Sequence, residues 1–256
     1  WGSPLRQKLY ALDYSPFDET LFIDSDCLVF GSLDRVFAKL ELADFNMAVT
    51  HSSQGMWHSA DLAKWAARLG AATVPVGNAG CFFFRQSSDA AEFFAAAREA
   101  MNAETYRQIG VHNRRNGDLM MEPAVSVAMI QCGFAGVPID YSIMVSPLTP
   151  RGTLRRFDVL CGRLEYAIAD KSVEPAIYHF LAGAWMKHGY RREAAKLRLL
   201  FERRLPVWLV QATAVAQWDL PFLAVDRAKQ LLRPVKRWLL GSPHRKRCSV
   251  AEKSAG

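Results

Sequence analysis

Asp24 and Asp26 stand one residue apart at the end of the apolar run Thr20-Leu-Phe-Ile23, which reads as a buried strand. Residues two apart in a strand share a face, so an Asp-x-Asp at its end aims both carboxylates at one point. Like charges held that close call for a counterion. Hard divalent cations prefer carboxylate oxygens, and Mg2+ or Mn2+ keeps open positions for the phosphates of a substrate. The pair therefore suggests a metal-diphosphate site, while the same spacing also suits an Asx-type turn that caps a strand.

Four further positions could converge on the pair. His179 closes the predicted strand Ala176 to Phe180, where a neutral imidazole can be a third metal ligand or a hydrogen-bonded rim residue. Asn78-Ala79-Gly80 forms a small-residue loop that can admit a sugar close to the backbone, or simply a turn that needs glycine. Glu122, just before Pro123, can face sugar hydroxyls or serve as a favourable charge at a helix start. Lys8, on the first helix, can reach a phosphate or remain solvated.

The elements that must position these residues alternate in type. Leu5, Leu9 and Leu12 recur at helical spacing until Ser15-Pro16, and the Asp-x-Asp strand follows. A short helix is predicted over residues 33–40, a strand over 45–50 and a helix over 61–69. Residues 74–84 are apolar but carry Pro75, Gly77 and Gly80, which predicts a loop entering a strand at Cys81 to Phe84. An Ala-rich helix capped by Ser87 or Ser88 runs to Met101, and Pro123 fits the first turn of a helix ending near Cys132. Phe134 to Ile139 is a further strand candidate. Such alternation predicts an α/β fold with a mostly parallel sheet flanked by helices and active residues in loops at the strands' carboxyl ends.

Half of the 256 residues are hydrophobic, enough for a real core and too many for general disorder. Five cysteines without Cys-x-x-Cys spacing argue against a disulfide framework and point to a reducing, cytoplasmic setting. No segment reaches the ~18 uninterrupted apolar residues of a membrane span. The charge is unevenly placed: from Arg191 onward the chain carries 15 Lys+Arg against 5 Asp+Glu, while the preceding part has a net charge of −3. A boundary near residue 190 is expected, followed by a basic helical extension over 191–240, broken at Pro206, Pro221 and Pro234, and a disordered basic tail over 241–256. Trp208, Trp218, Phe222 and Trp238 lie among its Arg and Lys residues, a composition suited to an anionic membrane surface or to a helical pair with a solvated basic face. Basic helices also attract nucleic acid, but the interleaved aromatics favour lipid.

Taken in order, Lys8, Asp24-Ser-Asp26, Asn78-Ala-Gly80, Glu122-Pro-Ala and His179-Phe resemble nucleotide-sugar glycosyltransferases of the GT-A fold, in particular the family 8, glycogenin-like and galactosyltransferase-like group. The resemblance covers residues 5 to about 190 and is closest in Ser15-Pro-Phe-Asp-Glu-Thr-Leu-Phe-Ile-Asp-Ser-Asp26. It implies transfer of a sugar from a nucleoside diphosphate donor to a hydroxyl acceptor, with Mn2+ or Mg2+ and retention of configuration. By the same resemblance Asp24, Asp26 and His179 are metal ligands, and Asp24 also approaches the ribose. Lys8, Ala79, Gly80 and Lys187 contact the donor, and Asn78 and Glu122 act at the transferred sugar. The basic extension would then suggest a carbohydrate or glycolipid acceptor.

Three departures from the family accompany these matches. Met121 stands where an acidic residue usually precedes Glu122. In His179-Phe-Leu-Ala-Gly183-Ala-Trp185-Met-Lys187, Gly and Lys are out of the family's register and its Pro-Trp pair is absent. The GT-A pattern also expects another strand and helix or two before Lys8, so an N-terminally incomplete domain is expected. Two rival readings follow: an inactive or truncated GT-A remnant acting as a binding protein, and a phosphatase of the haloacid dehalogenase class, whose motif wants Thr or Val where this chain has Leu28.

Overall fold

Thr20-Leu-Phe-Ile23 forms the last four residues of a strand, β1 (Glu19–Ile23), and the chain re-enters extended structure three residues after the first aspartate as β2 (Cys27–Val29). The computed structural model describes residues 4–112, 114–115, 118–147, 152–169, 171–181 and 188–240. The chain divides into two compact units, Trp1–Leu197 and Arg198–Gly256.

In the first unit, helices and strands alternate through much of the chain, a mixed α/β arrangement with small sheets. Two short helices, α1 (Pro4–Gln7) and α2 (Ala11–Tyr14), flank a 3-10 turn at Lys8–Tyr10 and lead into β1. After β2 come α3 (Asp34–Leu40), β3 (Phe45–Asn46), β4 (Ala48–Ser52), a small hairpin of β5 (Met56–Trp57) and β6 (Ala60–Asp61), α4 (Leu62–Arg68), β7 (Val74–Gly77) and β8 (Cys81–Arg85). Helix α5 (Ser88–Ala100) begins with the Ser87 side chain accepting from the Ala90 N–H, the cap expected for it. Then follow α6 (Ala103–Gln108), a second small hairpin of β9 (Arg114–Arg115) and β10 (Asp118–Leu119), α7 (Met121–Cys132), β11 (Val137–Pro138) and β12 (Met144–Val145). A meander of β13 (Thr153–Asp158), β14 (Arg163–Ile168) and β15 (Lys171–Val173) precedes β16 (Ile177–His179) and α8 (His188–Phe201).

The mostly parallel sheet expected from the sequence is not what these strands build. Among the described residues, only β11 with β4 and β12 with β16 pair in parallel; every other pairing is antiparallel. The three-stranded sheets run β1-β8-β3, β11-β4-β7, β12-β16-β2 and β13-β14-β15. Strands of two to six residues joined by tight turns favour antiparallel neighbours, because a parallel pair needs a crossover of a dozen residues or more. Residues 74–77, expected as a loop, form β7 despite Pro75. That strand lies at the edge of its sheet, where a missing N–H costs no ladder bond.

Apolar side chains from β3, β8, α5 and α7 fill the largest core cluster, with Phe45, Phe82, Phe84, Phe93 and Phe94 buried together. Phe22 of β1 stacks on Phe82 of β8 with ring centroids 4.6 Å apart, so the strand that delivers the aspartates is pinned to this core. Helix α8 is anchored by an ionic cluster. Glu193 and Lys196 are fully buried, Lys196 Nζ lies 3.2 Å from Asp158, and the Val159 N–H donates to Glu193 at 2.8 Å. The division between the two compact units falls inside α8, between Leu197 and Arg198.

In the second unit, α9 (Val207–Ala214), a π-helical segment (Val215–Asp219) and α10 (Leu220–Leu240) follow one another without a break. The interruption expected at Pro206 is present, whereas helix continues through positions 221 and 234. Pro221 is the second residue of α10, where the widened π turn before it and the first-turn position both tolerate a missing N–H. The tail expected over 241–256 lies outside the described residues. No described helix is long and apolar enough to cross a membrane.

Candidate functional site

Two antiparallel junctions meet at the aspartate turn. In one, Ile23 at the end of β1 pairs with Cys81 at the start of β8; in the other, Cys27 at the start of β2 pairs with His179 at the end of β16. Residues 24–26 bridge these two sheets and are held by their backbone. The Asp24 N–H donates to Gly80 O at 2.9 Å, Cys27 N–H to Asp24 O at 2.9 Å, and Phe180 N–H to Asp26 O at 3.0 Å. The Tyr190 hydroxyl of α8 donates to Ser25 O at 3.0 Å. A turn so fully bonded presents its side chains in a set geometry.

Those side chains converge. Lys8 Nζ lies 2.5 Å from Asp24 in an ion pair only 19% and 13% exposed. His179 Nε2 lies 3.0 Å from Asp26 Oδ1 and 3.8 Å from Asp24 Oδ2. Burial works to raise the Asp26 carboxyl, but the His179 hydrogen bond, the His179 charge and Lys8 outweigh it and hold Asp26 below its ordinary value. Asn78 Oδ1 accepts from the Gly80 N–H at 2.8 Å, which folds the Asn-Ala-Gly loop against the turn, with Ala79 buried. Gly80 is a steric requirement here: a Cβ at this position would stand 2.6 Å from His179 Nδ1 and 2.9 Å from Asn78 Oδ1.

The trio of potential ligand atoms lying within 4.8 Å of one another is Asp26, Cys27 and His179. Asp24, expected in the metal set, is not one of the three; its carboxylate is held by Lys8. The sequence gives no cue to Cys27, since a cysteine beside an acidic motif in an apolar run reads as core. Burial, with Asp24 and Asp26 adding to it, pushes its thiol well above the ordinary value, and burial and Asp24 push Cys81 up to about 12. His179, 6% exposed, has Nδ1 buried with no hydrogen-bond partner among the described residues.

Do these residues fit a divalent cation? An octahedral ion with ligands at ~2.1 Å sets adjacent donor atoms about 3 Å apart, close to the 3.0 Å between His179 Nε2 and Asp26 Oδ1. Oxygen and imidazole donors at a strand mouth, with an orphaned buried ring nitrogen behind them, suit such an ion. Mn2+ fits the mixed set better than Mg2+, because imidazole is a softer donor than oxygen.

Glu122 occupies a different surrounding. It sits in the first turn of α7, its Oε2 is buried without a hydrogen-bond partner among the described residues, and its electrostatic neighbours include His58 and Tyr106. Among the described residues, no hydrogen bond or ion pair ties it to the aspartate turn. Burial lowers the His58 imidazole and Glu122 opposes that shift, while the Tyr106 hydroxyl donates to Met120 O. His58 and Ser59 have φ of 47° and 68°, a left-handed pair turning the β5–β6 hairpin. The sequence carries no cue to His58 beyond its type. Lys187, expected at the diphosphate, lies outside the described residues. No protein-family model and no curated protein matches this chain.

Proposed function

We propose that the first unit is a metal-dependent transferase that moves a sugar from a nucleoside diphosphate donor to a hydroxyl acceptor, as its family 8 resemblance suggests. The observation that carries this reading is the convergence of Lys8, Asp24, Asp26, Asn78, Gly80 and His179, residues spread over 171 positions of sequence, on one turn. A turn-capping Asp-x-Asp needs none of the lysine, imidazole and small-residue loop that gather at this one.

The roles follow from the contacts. Asp26 and His179 would hold the cation. When bound, that ion supplies positive charge against the negative charge that grows on a leaving diphosphate. Lys8 neutralises Asp24 at rest and brings a second cation within reach of a phosphate. Asp24 keeps its second role toward the ribose. The Asn78-Ala79-Gly80 backbone, without bulk, lets a sugar approach the turn closely. Glu122 would act at the transferred sugar only if the donor extends from the turn toward α7, where its Oε2 has no hydrogen-bond partner among the described residues.

The second unit supports a companion reading, docking on an anionic membrane surface. Trp208, Leu220, Phe222, Leu223, Leu231 and Leu232 are all more than half exposed there, in a segment rich in Arg and Lys. A glycolipid acceptor at such a surface would be consistent with both units.

The test is transfer and donor hydrolysis by the full chain with a panel of UDP- and GDP-sugars, with and without Mn2+. We expect Mn2+-dependent turnover that Asp26→Ala abolishes with folding intact, and that His179→Ala reduces by a smaller factor. Full activity in Asp26→Ala would remove the aspartate from the mechanism. Donor binding without turnover would leave a sugar-nucleotide binding protein instead.

A further inference from the structure

We propose that Cys27 makes this a mixed-donor site in which Asp26, Cys27 and His179 together bind Zn2+ or a similarly borderline cation, and that such an ion competes with Mn2+ for the same residues. The inference rests on the metal-site reading above and adds a regulatory consequence to it.

Three observations carry it. First, strand register sets Cys27 directly opposite His179 in the β2–β16 pair, and the ligand atoms of Asp26, Cys27 and His179 all lie within 4.8 Å of one another. Asp26 belongs to the turn just before β2, so its carboxylate escapes the strict alternation of a strand and reaches the side on which the thiol lies. Second, among the described residues His179 is more than nine-tenths buried with Nδ1 unpartnered, and the Cys27 thiol has a 3.9 Å contact to Gly80 O as its recorded hydrogen bond. The thiol has no strong partner recorded among the described residues, and the imidazole's own partner through Nε2 is Asp26, the carboxylate that would share the ion. Third, Cys27 has no disulfide, although buried Cys81 lies nearby across the Gly80 turn.

Ligand type decides which ion prefers such a set. Mg2+ and Mn2+ favour oxygen, whereas thiolate and imidazole favour Zn2+, which also stands above Mn2+ in the general affinity order for divalent metals. On ligation the Cys27 proton leaves to solvent and the sulfur binds as thiolate. A hard-cation site with a cysteine in its wall is therefore open to displacement by traces of zinc. Asp26 and His179 are then withdrawn from Mn2+, and the donor's phosphates lose their cation.

The experiment uses Co2+ as a spectroscopic stand-in for Zn2+ and the paramagnetic resonance of Mn2+ as an independent readout, on the full chain. Bound Co2+ should give the strong near-ultraviolet charge-transfer band of a cobalt–thiolate bond, and Zn2+ should abolish it and release bound Mn2+. Cys27→Ser should lose the band and at least about tenfold of the Zn2+ affinity, as loss of a ligand outweighs loss of an outer-shell partner, while still binding Mn2+; Cys81→Ser should keep the band. The wild-type spectrum decides the matter even if a variant misfolds. Bound Co2+ without the band overturns the inference, and Mn2+ binding alongside it leaves the hard-cation site standing. The band without Mn2+ binding upholds Cys27 as a ligand and overturns the hard-cation reading. Binding of neither metal ends both.

Discussion

Gly80 shows how one residue without a side chain lets several others act. Its carbonyl accepts from Asp24, its N–H donates to Asn78, and its missing Cβ leaves room for the His179 ring. Gly80→Ala is expected to push the imidazole off Asp26. Overpacking of this kind costs about 1–3 kcal/mol of stability, and metal affinity should fall at least about tenfold, the lower range for disturbing a ligand's support. Mn2+ titration together with urea unfolding would check both; unchanged Mn2+ affinity would mean the ring is free to move. At this scale the sequence is readable where residue type limits what a position can do: Asp24, Asp26, Asn78, Gly80 and His179 lie around one turn, though Asp24 pairs with Lys8 and is not among the three clustered ligand atoms. It was not readable where the role depends on register. Cys27 becomes a neighbour of His179 only through the β2–β16 pairing, and Glu122 faces His58 and Tyr106 only through the docking of α7.

Among the elements, periodicity identified the helices well. Helices α3, α4, α5 and α7 fall within a residue or two of where capping and apolar spacing put them. Strands were harder, because pairing direction depends on partners far away in sequence. Strand β7 was hidden by Pro75, and the meander of β13, β14 and β15 by its charged residues, which alternate with apolar ones on a half-exposed surface. Helix α8 offers an energetic test of element packing. Lys196 is fully buried and shared between Glu193 and Asp158, with Arg192 also pairing to Glu193. Removing one partner of a buried cluster costs about 3–5 kcal/mol, because the remaining charge stays desolvated. Lys196→Met should lower the urea midpoint accordingly, and a second change, Glu193→Leu, should recover part of the loss. Additive loss in the double variant would show that the two residues do not act as a pair.

At the scale of the whole molecule, charge and compactness run together: a near-neutral mixed α/β unit and a basic helical unit, divided inside α8. The exposed apolar residues of α9 and α10 lie on helices with no described partner strand or sheet in their own unit, which favours a surface-bound role. The full chain should sediment with phosphatidylglycerol vesicles at low salt, lose most of that binding at high salt, and ignore neutral phosphatidylcholine. Absence of binding to anionic vesicles at low salt would end the membrane proposal.

The claim beneath all of this is that the aspartate turn and His179 form a divalent-cation site that a diphosphate completes. Mn2+ binding followed by paramagnetic resonance, with and without UDP, tests it most directly. One Mn2+ per chain, bound more tightly when UDP is present and lost in both Asp26→Ala and His179→Ala, is the predicted result. Mn2+ binding that is unaffected by UDP and survives both substitutions would contradict it.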